Sequence, residues 1–173
     1  MAEEKQYNKV VIVDENDNVI GAENALLAKE KGWLRSCVRV FVFSESNKVL
    51  LQRRGRDVLR PLEIDISTAG CVDEGESRKV AAYRELAEET GIENTLLQLI
   101  SEPFRSPGTV NGVYKTVVPD DQEFIIDNSE VEELFWVSVE MLDEMIESGS
   151  DKCTPGLVDT WTQLRDKLVS TSL

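Results

Sequence analysis

The chain has no histidine among its 173 residues. That removes Ser-His-Asp chemistry, a histidine general base and any His-ligated zinc site. Cysteine is sparse. Cys37, Cys71 and Cys153 are odd in number, far apart in sequence and without C-x-x-C spacing, so neither a structural zinc nor a disulfide framework follows. Long apolar runs are missing too, and none reaches the length of a membrane span. The opening MAEEKQYNKV lacks a basic stretch followed by an apolar one, so it does not read as a signal peptide. A reducing cytoplasm is the default expectation for such a chain. Positive charge is the last shortage. There are 19 Lys or Arg against 33 acids, a net charge of -14. Nonspecific nucleic-acid binding needs a basic surface and is not expected, nor is a membrane partner.

The acids are unevenly spread. Between Lys115 and Lys152 there is no Lys or Arg, and 12 acids run from Asp120 to Asp151, which leaves -2 for the rest of the chain. Such a run reads mainly as a solvated face. A sharper reading has one of its carboxylates facing a cation site. The hydrophobic share of 41% and charged share of 30% are those of a globular protein. The length fits one domain, 1–173, with an amino-terminal hairpin extension over about 1–34.

Strands and helices interleave. An apolar β-branched run at Lys9–Asp14, the turn ENDN and a second run from Val19 predict a hairpin. Glu23–Lys31 predicts a short helix stopped by Gly32. Arg35–Phe43 and Lys48–Arg54 read as paired strands. Glu63–Thr68, Asn94–Ser101, Val113–Val118 and Glu133–Val137 read as further strands. Ser77–Thr90 is the clearest helix, with Ser77 as N-cap and Gly91 as left-handed C-cap. Ser138 opens a helix to about Glu147, ended by Gly149. Pro155 opens the last helix, with Leu157, Trp161, Leu164 and Leu168 on one face. This order suggests a sheet covered by helices on both sides.

The segment Gly70–Ile92, GCVDEGESRKVAAYRELAEETGI, carries the chemistry. At about 100° per residue, Val80, Ala82, Tyr83, Leu86, Ala87 and Thr90 form the face expected to pack on the sheet. Glu85, Glu88 and Glu89 share a narrow stripe beside it. Like charges at i,i+3 and i,i+4 cost a few tenths of a kcal/mol each. The stripe therefore either faces water or holds a divalent cation. With oxygen ligands and no histidine, that cation would be Mg2+ or Mn2+.

The same segment matches G-x5-E-x7-R-E-U-x-E-E-x-G-U, with U aliphatic, at Gly70, Glu76, Arg84, Glu85, Leu86, Glu88, Glu89, Gly91 and Ile92. Chance agreement in a chain this long is on the order of one in ten million with average residue usage. The chain resembles the Nudix superfamily, with an intact box at 70–92. The resemblance implies an α+β fold, an α/β/α sandwich with a mixed β-sheet and the motif helix packed on it. It implies hydrolysis of a nucleoside diphosphate linked to another moiety, or of a similar small diphosphate. By position, Glu85, Glu88, Glu89 and the backbone carbonyl of Ala69 become the expected metal ligands. Glu76 approaches the metals or their waters, and Arg84 orients the glutamates. Gly70 and Gly91 permit the loop and cap geometry. Without histidine, a carboxylate must take the proton of the attacking water. Glu88, Glu89 or a loop Glu among Glu123, Glu130, Glu132 and Glu133 could serve.

Arg53, Arg54, Arg56 and Arg60 form a local basic island. They read either as solvated turn residues or as phosphate-binding groups. Arg53, Arg54, Arg56 and Arg105 are the expected substrate contacts, with Phe104, Tyr114 and Trp33 as further candidates for recognising the rest of the substrate. A homodimer fits how common two-fold assemblies are.

The amino-terminal half, VDENDNVIGAENALLAKEKGWLRSCVRVFVFSESNKVLLQRR, is similar to isopentenyl-diphosphate isomerases and their Nudix relatives. Those isomerases use a cysteine just before the box glycine, where this chain has Ala69. A nearby histidine of that family is replaced here by Cys71. Their box is usually degenerate, and this one is intact. Isomerase activity and a non-catalytic diphosphate-binding module are the rival expectations.

Overall fold

The computed structural model describes residues 9–149 and 152–170. The reading of the amino-terminal leader and the last acid of the run, Asp151, lie outside the described residues.

Among the described residues, nine strands form one mixed sheet. Strands β1 (Lys9–Val13) and β2 (Val19–Asn24) make the expected hairpin, followed by α1 (Ala25–Glu30). Strand β3 (Leu34–Ser44) is the hub. It pairs antiparallel with β1, with β4 (Lys48–Arg54) and with β6 (Thr68–Cys71). It pairs parallel with β8 (Thr109–Val118), which in turn pairs with β7 (Gln98–Ser106). Strand β4 carries β5 (Ile64–Ile66) on one edge and β9 (Val131–Ser138) on the other.

The hub strand explains the layers. Side chains alternate along a strand, and both faces of β3 are buried. Val38, Val40 and Val42 pack with Ala81, Ala82 and Leu86 of α2 (Arg78–Thr90). Phe41 and Phe43 pack on the other face, with Leu142 of α3 (Val139–Ser148) and Leu157, Trp161, Leu164 and Leu168 of α4 (Pro155–Ser170). This is the expected sandwich, with the expected face of the last helix turned inward.

Several boundaries differ from the sequence reading. The run at Glu63–Thr68 breaks at Ser67, whose hydroxyl donates to the Leu50 carbonyl and accepts the Val42 N–H. A side chain here takes the place of a ladder bond, and the chain steps from β4 to β3. The strand then continues through Ala69-Gly70 rather than ending there. Strand β7 starts and ends later than the expected Asn94–Ser101, β8 starts before the expected Val113, and the two meet at a tight turn with Gly108 at φ 75°. Pro103 and Pro107 obscure that hairpin in the sequence, because proline weakens any strand reading.

Candidate active site

Helix α2 is capped as its sequence demands. The Ser77 hydroxyl accepts from the Val80 N–H, and Gly91 sits at φ 73° with its N–H on the Ala87 carbonyl. Its buried face keeps Ala82, Leu86 and Thr90 of the expected one but is shifted around the helix. Ala81, Ala82, Glu85, Leu86, Glu89 and Thr90 are buried, whereas Val80 is 54% exposed. The helix is rolled about 90° toward its carboxylates relative to the apolar face, on 100° per residue. Glu85 and Glu89 are thus inside the contact with the sheet, and only Glu88 stays largely exposed.

Gly70 makes the roll feasible. A Cβ built there would fall inside the Glu85 carboxylate. Gly70 lies on the α2 face of β6, and its missing side chain is the space that Glu85 fills. Loop conformation is not the reason for this glycine, since its φ is not positive.

Arg84 uses all five of its donors. Nε and Nη2 bond the two Glu76 oxygens at 2.9 and 3.0 Å. Nη1 bonds Glu85 at 2.8 Å and Glu88 at 3.3 Å, and the second Nη2 hydrogen goes to the Cys71 carbonyl at 3.0 Å. A rigid fork with every donor engaged fixes its acceptors relative to one another. Its bonds hold the Glu76 carboxyl below the usual range, and the Asp73 N–H also donates to Glu76. Glu76 thereby closes the loop ahead of the helix.

Burial pushes Glu85 up to about 7, against the pull of Arg84. Burial and the charge of Glu85 push Glu89 up to about 8, although the Gln52 amide donates to it at 2.7 Å. Glu130 adds to the upward push on Glu85, so its charge reaches the helix. Two glycines allow this placement. Gly55 donates its N–H to the Glu130 carbonyl at 2.7 Å, with no room for a Cβ, and Gly91 packs equally tightly on Ile125. The loop between β8 and β9 is thereby held against the carboxyl end of α2.

Ala69 presents its carbonyl on the same side as Cys71. Val72 N–H bonds the Ser36 carbonyl, so Ser36–Val72 and Val38–Gly70 are the hydrogen-bonded pairs of β3 and β6. Ala69 and Cys71 then fall on the non-bonded positions, with both carbonyls pointing away from β3. Among the described residues no group of three or more acid, Cys or His side chains closes into a ready metal cage. Glu85 and Glu89 lie together in the contact, and Arg84 bonds both Glu85 and the exposed Glu88.

The basic island is not a free phosphate clamp in this arrangement. Arg53 pairs with Glu133, Arg54 with Asp65, Arg56 with Glu132 and Arg60 with Glu63. Arg105 donates to the Glu15 carbonyl in the β1–β2 turn, on the other side of β8 from β3. Sequence reasoning missed Gln52, whose amide is the partner of Glu89. It also missed Arg78, which ties the start of α2 to Asp17 and Glu102. A Gln one residue before the arginine pair gave no local signal.

The match to known proteins agrees with this fold. The NUDIX domain model covers residues 33–157. The chain belongs to the Nudix family, and its class is that of the Nudix pyrophosphohydrolases. It is 27% identical over 161 residues to an isopentenyl-diphosphate Delta-isomerase of Photorhabdus laumondii, covering 84% of this chain and 85% of that protein. An uncharacterised Nudix hydrolase of Streptomyces coelicolor is 37% identical over 81 residues, 46% of this chain and 45% of that one. A crystal structure from Deinococcus radiodurans superposes with a TM-score of 0.75 at 22% identity, covering 90% of this chain and 98% of that one. No described helix is long and apolar enough to cross a membrane.

Proposed function

We propose that this chain is a divalent-metal-dependent hydrolase that cleaves a phosphoanhydride bond in a nucleoside diphosphate linked to another moiety, or in a similar small diphosphate. The observation that carries the reading is the burial of two like-charged carboxylates, Glu85 and Glu89, at one helix–strand contact. Buried like charges are unfavourable until a cation joins them. The available donors are carboxylate and backbone carbonyl oxygens, which suit Mg2+ or Mn2+. Glu85, Glu89, the Ala69 carbonyl and Glu88 would hold the ion. When bound, it supplies charge neutralisation at the phosphate oxygens and a more acidic water.

The chain's own residues do the rest. Arg84 keeps Glu85 and Glu76 in place. A carboxylate takes the proton of the attacking water, and Glu130 is the favoured loop candidate. Its charge acts on Glu85, whereas Glu132 and Glu133 are engaged by Arg56 and Arg53. Arg53 and Arg56 are 37% and 68% exposed at their side chains, so an arriving phosphate can compete for them.

The test combines hydrolysis of a panel of nucleoside diphosphate compounds with melting in Mg2+. Glu85→Gln and Glu89→Gln should each lower the rate by about a hundredfold or more and lose the Mg2+-induced rise in Tm. Glu130→Gln should lower the rate and keep that rise. If the first two variants hydrolyse as fast as wild type, the metal-site assignment is wrong.

The Photorhabdus relative supports a second reading, isomerisation of isopentenyl diphosphate. Against it stands Ala69 in place of the isomerase cysteine. Cys71 is no substitute, because it alternates to the face opposite Gly70 and packs with Val10, Ile12 and Ala28. Double-bond migration in isopentenyl diphosphate, followed by proton NMR, would reverse this preference.

A further inference from the structure

The thiols of Cys37 and Cys71 have no part in the site described above, where only the Cys71 carbonyl is used. They lie 34 residues apart in sequence, yet β3 and β6 place them directly opposite each other. Their sulfurs are 3.0 Å apart, and both are free thiols. They occupy a non-hydrogen-bonded position, as the neighbouring Val72–Ser36 bond requires. Opposed Cα atoms at such positions are about 4.5 Å apart and their side chains lean together. That separation lies within the range a disulfide spans. Access differs between the two. Cys37 is buried, whereas Cys71 is partly exposed, so a small solute meets Cys71 first. Cys153 bridges Ile64 on β5, a different strand from either.

We infer that Cys37 and Cys71 are a peroxide-oxidisable pair that closes a reversible disulfide between β3 and β6. The oxidant is hydrogen peroxide. The Cys71 sulfur attacks one peroxide oxygen, and the O–O bond breaks. The leaving hydroxide takes the Cys71 thiol proton and departs as water. Cys71 is then a sulfenic acid. The Cys37 sulfur, already within reach, attacks the Cys71 sulfur. The S–S bond forms, the S–O bond breaks, and the departing hydroxide leaves as water with the Cys37 proton. Two thiols and one peroxide become one disulfide and two waters, with sulfur oxidised and peroxide oxygen reduced. A thiol reductant reverses the change. The link would fix β6, the strand that carries Gly70 and the Ala69 carbonyl, against β3. None of this depends on the hydrolase reading, because the readout is a mass and not a turnover.

The test uses the full chain, both as wild type and as Cys153→Ser. Each is treated with equimolar hydrogen peroxide, blocked with an alkylating agent, digested with trypsin and analysed by mass spectrometry. The expected product joins the peptide Ser36–Arg39 to the peptide that ends at Arg78, lighter than the two thiol peptides together by two hydrogens. Dithiothreitol should restore both free thiols. In Cys37→Ser, Cys71 should stop as a sulfenic acid that dimedone traps. Recovery of both cysteines as alkylated thiols after peroxide overturns the inference. So does conversion of wild-type Cys71 to the sulfinic acid without the link.

Discussion

A single methylene decides how Glu85 sits. Gly70 leaves room for its carboxylate, so Gly70→Ala must drive Glu85 out or push α2 from β6. Overpacking of this kind costs about 1–3 kcal/mol. The variant should melt lower than wild type and lose most of its Mg2+-induced rise in Tm, both read in one thermal scan series. A Gly70→Ala protein with an undiminished Mg2+ shift would separate Gly70 from the Glu85 site. Arg84→Lys is a second test at this scale. Lysine has three donors on a point charge against five in a planar fork. Glu76 and Glu85 could not both keep their bonds, and hydrolysis should fall about tenfold or more although the charge is conserved. The residues of the box were legible in the sequence because their spacing is local. Their partners across the sheet were not. Gln52 reaches Glu89 and Cys71 meets Cys37 only through strand register, which no local pattern encodes. Register also merges the basic island with the acidic run, since Arg53 and Arg56 meet Glu133 and Glu132 through the β4–β9 pairing.

Helix α2 shows what an element adds to its residues. Apolarity alone orients the helix with Val80, Tyr83 and Ala87 inward, and this is where the sequence reading fails. Ala81 and Ala82, both fully buried, let the helix backbone approach β3 and β6 closely and draw Glu85 and Glu89 in with it. The ends of the helix were legible, since capping is a property of two residues. Ser77→Ala should lower stability by about 1 kcal/mol in a denaturant titration. Gly91→Ala should cost more, because alanine is strained at φ 73° and its Cβ would press on Ile125. At the other side of the molecule, Asp143 on α3 accepts from Trp161 and Arg165 of α4 and ties the two helices together. An acid from the run read as a solvated face is in fact a joint between elements.

For the whole molecule, the two raised carboxylates set a pH dependence. Glu85 and Glu89 titrate near 4.5 when free and at about 7 and about 8 in the fold. The folded chain therefore holds protons that the unfolded chain has released. Their contribution to stability is complete below pH 4.5 and is lost as pH rises through about 8. The metal-free protein should melt progressively lower across that window. Mg2+ takes the place of those protons, so its stabilising shift should be larger at pH 8 than at pH 6, and an equal shift at both values would exclude these two groups as the ligands. Strand β3 has a consequence of another kind. Its backbone is bonded to β8 along one edge and to β1, β6 and β4 in turn along the other. The amides of Val38 to Val42 are flanked by Ser67 and β6 on one edge and by β8 on the other, so all of them meet water only when both neighbours detach. Their deuterium uptake should be the slowest in the protein and should keep time with its complete unfolding.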